Sequence, residues 1–274
     1  LTAQGNQDSN SIGDFYYAPP TDFLALCTSN LSDPEIALPA DNFNTILWTG
    51  DGSDPDSFTG VGFKPDFVWV KDRSGTYSHR LYDAVRGGDF SLNSNSTGAE
   101  VDQDGGGWIS SFDSDGFTTQ GGSSNDNFTI SGNDYVAWNW LAGTAPTADN
   151  SAGAGATPTA GSVKIDGSNL GSALAGTIAA TRLSANTTSG FSIVKYTGND
   201  TSGATLAHGL SSAPELIIVK GANYGGTNWP AGATPMSSGW TKYMQLDAND
   251  AESTSTARWN DTAPTPSVFS IGDD

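Results

Sequence analysis

The chain states one short phrase twice, as "GFKPDFVWVK" from Gly62 to Lys71 and as "LSSAPELIIVK" from Leu210 to Lys220. Each copy is a Pro, an acid, four apolar residues and a Lys, and the match extends outward on both sides. Phe43 in "FNTILWTGDGS" meets Phe191 in "FSIVKYTGNDT" 148 residues on, and Trp48 then meets Tyr196. Pro65 meets Pro214 and Lys71 meets Lys220 at a separation of 149. "LNSN" at Leu92 meets "LDAN" at Leu246 after 154 residues, and Phe117 in "GFTTQG" meets Phe269 in "VFSIGD" after 152. Four anchors in one order, with a small drift in spacing, describe a tandem duplication with loop insertions and deletions. The period is far above the ~20–50 residues of a solenoid repeat, so each copy has to bury a core of its own.

Within each copy the apolar residues mark short strands. "NTILWTG" alternates, "DFVWVK" is a run apolar on both faces and started by Pro65, and "DYVAWNW" sets Tyr135, Ala137 and Asn139 against Val136, Trp138 and Trp140. Loops such as "DQDGGG" and "TQGGSSNDN" are rich in the Gly and Asn that tolerate positive φ. With 36% hydrophobic and only 15% charged residues the chain has core material but little of a surface helix. The expected fold class is therefore all-β, as tandem antiparallel β-sandwich (jelly-roll) domains. Only "SALAGTIAATRLSA", from Ser172 to Ala185, hints at a helix, and Gly176 and its β-branched residues weaken that reading. "AGTAPTADNSAGAGATPTAGS", from Ala142 to Ser162, has almost no apolar bulk and reads as a linker or a strap across a surface. The resulting plan is a preceding segment at 1–42, a first repeat at 43–146, a Gly/Ala/Thr-rich linker and strap at 147–189, and a second repeat at 190–274. Phe67, Val68 and Val70, with Leu216, Ile217 and Val219, should be mostly buried.

Charge narrows the partners. Against 11 Lys+Arg stand 30 Asp+Glu, a formal net charge of −19, so nucleic acid would be repelled. No run approaches the ~20 apolar residues of a membrane span. Cys27 is the single cysteine, which excludes an intrachain disulfide, and it reads as a small buried hydrophobe.

Constellations for catalysis are sparse. His79 and His208 do not occupy matching places in the two copies and read as hydrogen-bonded structural residues. Neither a nucleophile elbow in a strand-to-helix context nor a P-loop occurs. Glycoside hydrolysis needs two carboxyls in one cleft, for which Glu100 with Asp102 and Asp104 beside Trp108 is the nearest approach, although Asp beside Gly is ordinarily a turn former. No catalytic residue and no cofactor is assigned. Asp51, Asp54 and Asp56 in one loop, and Asp102 and Asp104 in another, offer hard oxygen donors that suit Ca²⁺ but lack the EF-hand spacing. Trp108, Trp229, Trp240 and Trp259 lie in loop-rich stretches, where an exposed ring would stack on a glycan or meet a partner; Trp48, Trp69, Trp138 and Trp140 lie in strands and read as core.

Taken together, "GFKPDFVWVKDRSGTYSHRLYDAVRG", "LNSNSTGAE", "FDSDGF", "NDYVAWNWLAGT", "GTIAATRLSANTTSGFSIVKYTG" and "AHGLSSAPELIIVK" resemble a concanavalin-like repeat domain of marine tailed phages. The upstream "GDFYYAPPTDFLALCTSNLSDPEI" resembles the end of a SPRY-type domain. The second copy departs from that pattern around "GANYGGTNWPAGATPMSSGW". The resemblance implies a lectin-like sandwich in a virion structural protein: a tail-fibre or appendage segment, extracellular on the particle, displaying a surface and adhering to host or glycan without turnover. Other virion proteins, host surface glycan and further copies of the chain, as in a homotrimer, are the partners it implies. A capsid decoration or head fibre, a glycan depolymerase and a bacterial surface adhesin are the alternatives. Finally, the second copy has no counterpart of Asp134 to Trp140. The expectation is that the chain is the interior of a longer one, or that a neighbouring subunit or partner supplies the strand, since an open sheet edge leaves backbone groups unpaired.

Overall fold

The computed structural model describes residues 2–31, 34, 36–122, 124 and 127–273. It divides into two units, Leu1–Ala37 and Leu38–Asp274. The smaller unit is held by one carboxylate. Asp8 accepts hydrogen bonds from the backbone N–H of Asn10, Ile12 and Ala25 and from the Asn30 side chain, at 2.7 to 3.0 Å. The Ala25 bond contributes most to lowering its pKa, to about 2. Cys27 here is half-buried rather than enclosed, and its neighbour Leu26 is fully exposed.

The larger unit is nearly all β, as its alternation and turn chemistry require. The first repeat comprises β1 (Phe43–Thr49), β2 (Asp56–Thr59), β3 (Phe67–Asp72), β4 (Arg80–Asp83), β5 (Gly87–Asn93), β6 (Val101–Asp102), β7 (Trp108–Asp113), β8 (Gly116–Gln120) and β9 (Asp134–Trp140). These form a six-stranded sheet, ordered β1-β9-β3-β4-β5-β6, and a three-stranded sheet, β2-β8-β7. The core between them takes Val68, Val70, Tyr82, Tyr135 and Ala137 from one sheet, Phe58, Ile109 and Phe117 from the other, and Phe128 from a loop. Close approach of the strands explains Gly116, since a Cβ there would lie 1.9 Å from the Phe58 carbonyl oxygen.

The second repeat follows the same plan with β13 (Phe191–Tyr196), β14 (Ala204–Ala207), β15 (Leu216–Ile218), β16 (Pro230–Ala233), β17 (Lys242–Gln245), β18 (Ser253–Thr254) and β19 (Val268–Ile271). The meander β15-β16-β17-β18 repeats β3-β4-β5-β6, and β14-β19 repeats β2-β8. "DFVWVK" and "ELIIVK" are thus the opening strands of equivalent meanders. The short helix α1 (Thr256–Trp259) stands where β7 flanks β8, tied to the end of β19 by Gly272 N–H donating to the Arg258 carbonyl at 2.9 Å.

The linker region carries more structure than its composition suggests. Between β9 and β13 lie β10 (Val163–Ile165), β11 (Ser168–Asn169) and β12 (Ala180–Asn186), which join β13 in a sheet ordered β11-β10-β12-β13. Val163, Leu174, Ala180, Leu183, Ala185 and Ala207 give it a small core. The second half of the stretch that hinted at a helix, from Ala180 on, lies in β12, which pairs with β10 on one side and β13 on the other. Residues 142–162 form a strap that is closed on itself by Thr147 N–H to Gly161 O (2.8 Å) and tied to β12 by Asn150 N–H to Thr181 O (2.9 Å).

Burial of the two phrases differs. Val68 and Val70 are buried and Phe67 is half-buried, whereas Leu216 is 60% exposed and Ile217 and Val219 are half-buried. The reason is pairing: β3 has β9 and β4 on its two sides, and β15 has β16 on one side only.

Candidate functional site

Most of the carboxylates singled out above bond within the protein. Asp51 accepts from Ser53 N–H at 2.7 Å, Asp54 from Gly121 N–H at 2.6 Å and Asp56 from Ser57 N–H at 2.8 Å. Asp102 is exposed on β6, and Asp104 is ion-paired with Arg80 and accepts from Ser91 Oγ (3.2 Å) and Gly106 N–H (2.9 Å). Glu100 is paired with Arg86 at 3.3 Å. Among the described residues no three His, Cys, Asp or Glu side chains are grouped to hold a metal ion. Both histidines are hydrogen-bonded within the fold. His79 Nδ1 accepts from the Trp69 indole at 3.1 Å, while His208 Nδ1 accepts from Leu210 N–H at 3.1 Å and its Nε2 lies 3.0 Å from the Thr265 carbonyl. Burial lowers the pKa of each and favours the neutral ring that this bonding requires.

The tryptophans need correction. Trp229, Trp240 and Trp259 are buried, and Trp108 is half-buried against the first core, so three of the four offer no stacking face. The glycine at Gly232 makes this possible, since a Cβ there would stand 2.6 Å from Trp259 and 2.8 Å from Trp240, whose rings meet edge-on. The strand tryptophans Trp48, Trp69, Trp138 and Trp140 are half-buried instead of enclosed.

What the structure does bring together is the joint between the repeats, built on the outer face of the six-stranded sheet. Phe191 of β13 packs on Phe67 and stacks on Trp140, each at 5.8 Å. Trp229, just ahead of β16, buries itself with Leu81 and Leu92, and its indole donates to the Ser96 carbonyl at 3.0 Å. Around it Glu100 N–H reaches Ala222 O (2.7 Å) and Gly226 N–H reaches Thr97 O (2.8 Å). Lys220 Nζ joins Thr227 O at 2.6 Å to Thr97 O at 3.2 Å. Its counterpart Lys71 bonds the Asp72 and Gly75 carbonyls, which gives the repeated phrase a reason for ending in Lys: the ammonium ties the loop that follows the strand.

At the other end of the joint Asp66 accepts from Ala142 N–H (2.9 Å) and Thr144 N–H (3.0 Å), fastening the strap. Its second oxygen is buried without a partner, and burial holds its carboxyl above the usual range despite those two bonds. Arg86 sits between Asp83 (2.6 Å) and Glu100 (3.3 Å) and donates to Leu81 O, while Arg182 reaches across to Val85 O at 3.2 Å.

A family model described as a domain of unknown function, DUF7483, matches residues 38–167 and again residues 164–274. The chain belongs to the DUF7483 family. Each match contains one copy of the duplication, and the two overlap at residues 164–167, at the end of β10 and the turn that follows it. No curated protein and no solved structure matches the chain.

The role of Asp66 in this DUF7483 pair was not read from the sequence, although the acid of the shared phrase marks it. Its counterpart Glu215 keeps the backbone part, accepting from Thr234 N–H as Asp66 O does from Ala84 N–H, but its side chain is exposed. Asp66→Ala is expected to lower stability by about 1–3 kcal/mol, because two strap N–H groups lose their acceptor. Asp66→Asn keeps an acceptor and removes the buried charge. A carboxyl whose folded pKa is raised costs stability as pH rises from the unfolded value through the folded one, so Asp66→Asn should gain on the wild type as pH rises. Denaturant unfolding of the three proteins across pH checks this, and a pH-independent difference would contradict it.

Proposed function

We propose that the DUF7483 pair is a non-enzymatic structural segment of a virion appendage, a phage tail fibre of concanavalin-like sandwiches, that displays a surface for adhesion to the host or its glycans. The joint carries this reading. Two sandwiches locked by an aromatic cluster, a buried Trp and a strap make a stiff rod element, as an appendage under load requires. Glu100 and Asp104, two of the acids that hydrolysis would use, are committed to arginines, which favours display over turnover.

The test is location. An antibody raised against this chain should place gold label on the tail appendages of phage particles encoding it. Label on the capsid alone would move the segment to a head fibre, and unlabelled particles would overturn the virion role. Release of oligosaccharide from host surface polysaccharide, lost in Glu100→Gln, would overturn the non-enzymatic part.

A further inference from the structure

Strand register aligns the β5–β6 hairpin of the first repeat with the β17–β18 hairpin of the second. Ser91 pairs with Val101 and Leu92 with Leu81, as Tyr243 pairs with Ser253 and Met244 with Ala231. Ser94 N–H donates to His79 O as Leu246 N–H donates to Trp229 O. The ladder therefore sets Met244, and not the Leu246 of the sequence match, at the place of Leu92. The connection between the two strands has the same length in both repeats, so Glu252 stands where Glu100 does, Asn249 where Thr97 does and Ala248 where Ser96 does. Each glutamate ties its hairpin to the preceding turn, Glu100 through Arg86 and Glu252 through the N–H and hydroxyl of Ser237.

In the first repeat this hairpin receives a loop. Residues 221–229, which follow β15, lie against it: Ala222 O accepts from Glu100 N–H, Gly226 N–H and the Lys220 ammonium reach Thr97 O, and the Trp229 indole reaches Ser96 O. Leu92 and Ser94 beneath that loop are 6% and 3% exposed. In the second repeat the same hairpin borders a cavity of about 290 Å³ walled by Met244, Gln245, Asp250, Ala251 and Glu252. Among the described residues no hydrogen bond engages Glu252 N–H, Asn249 O or Ala248 O. Met244 and Leu246 are 44% and 39% exposed.

The first repeat carries the matching loop. Residues 72–79 follow β3 as 221–229 follow β15, and Lys71 holds them through carbonyls as Lys220 holds the docked loop. Arg73, Ser74 and Thr76 are exposed there, and Tyr77 is 43% exposed. Arg73 follows Lys71 by two residues, as Ala222 follows Lys220, so it stands at the position whose carbonyl meets the hairpin N–H in the joint. Its charge is opposite to that of Asp250, which is exposed on the hairpin. Copies of a chain with a formal net charge of −19 repel one another at long range, so a basic loop and an acidic hairpin select the one approach in which the local charges agree.

We propose that copies of this chain associate head to tail, the 246–252 hairpin of one copy receiving the 73–78 loop of another. Arg73 O accepts from Glu252 N–H, as Ala222 O does from Glu100 N–H within the chain. The Arg73 guanidinium meets Asp250, and Tyr77 covers Met244 and Leu246. The two partners contribute different surfaces, so the contact is heterologous and each dimer keeps one free hairpin and one free loop. Association then continues past the dimer unless those ends meet in a ring.

Analytical ultracentrifugation of the intact chain tests this. The weight-average mass should rise with concentration above that of the monomer and fall again as added salt screens the pairing. Arg73→Asp and Asp250→Lys should each weaken association by about tenfold or more. An equimolar mixture of the two variants should associate again, because each brings the charge that the other's altered surface needs. Both positions are exposed, so each variant should keep the wild-type circular dichroism. On the wild type itself, amide exchange within residues 248–252 should slow by about tenfold or more between dilute and concentrated solution, and this measurement decides alone should a variant fail to fold. The proposal is overturned by a mass that stays at the monomer value up to millimolar concentration, by association that neither charge reversal weakens, or by association that leaves exchange in 248–252 unchanged.

Discussion

Tyr135→Ala is expected to destabilise the first repeat by about 3–5 kcal/mol, the range for removing a large ring from a packed core. Tyr135 is fully buried, stacks on Trp48, and its hydroxyl accepts from Ile130 N–H at 3.1 Å. It is also the wedge that sets β9 between β1 and β3, so the loss extends beyond one contact. Tyr135→Phe keeps the ring and removes the acceptor of one N–H, for which about 1–3 kcal/mol is expected. Guanidinium unfolding, read as a shift in midpoint at constant slope, separates the two. A Tyr135→Ala protein within 1 kcal/mol of the wild type, at about the resolution of such measurements, would mean that the first core does not depend on this strand.

The second large effect concerns Arg86. Its side chain is 9% exposed and joins Asp83, itself 6% exposed, to Glu100 on the far side of the β5–β6 turn. Arg86→Met strands a buried carboxylate, and breaking such a pair from one side costs about 3–5 kcal/mol. Asp83 retains the N–H donors of Val85 and Arg86, so the double variant Arg86→Met with Asp83→Asn should recover a large part of that loss. Because Glu100 also donates its N–H to Ala222 O in the joint, unfolding of Arg86→Met should lose the single transition that locked repeats give. A cooperative transition with an unchanged midpoint would show that the arginine network is ornamental.

Much of the architecture was legible from residue order. The duplication followed from Pro65 with Pro214 and Lys71 with Lys220, and the opening strands of the meanders fall where the shared phrase places them. β9 was visible because Tyr135 and Ala137 alternate with Trp138 and Trp140. The strap and its neighbours were harder. Ala180, Leu183 and Ala185 are small or isolated apolar residues whose value depends on Val163 and Ala207 arriving from elsewhere, so composition alone made them look like a linker. The tryptophans failed similarly. A ring in a loop-rich stretch reads as exposed until Gly232 lets Trp240 and Trp259 descend onto β16.

For this chain, local order determined the all-β class and the two copies, because period-two patterning and turn chemistry act over a few residues. Tertiary structure alone decided that Asp66 fastens the strap and that Trp229 is a buried anchor between the repeats. Those outcomes depend on which groups distant in sequence arrive at the same place, and on whether a polar atom buried there finds its partner.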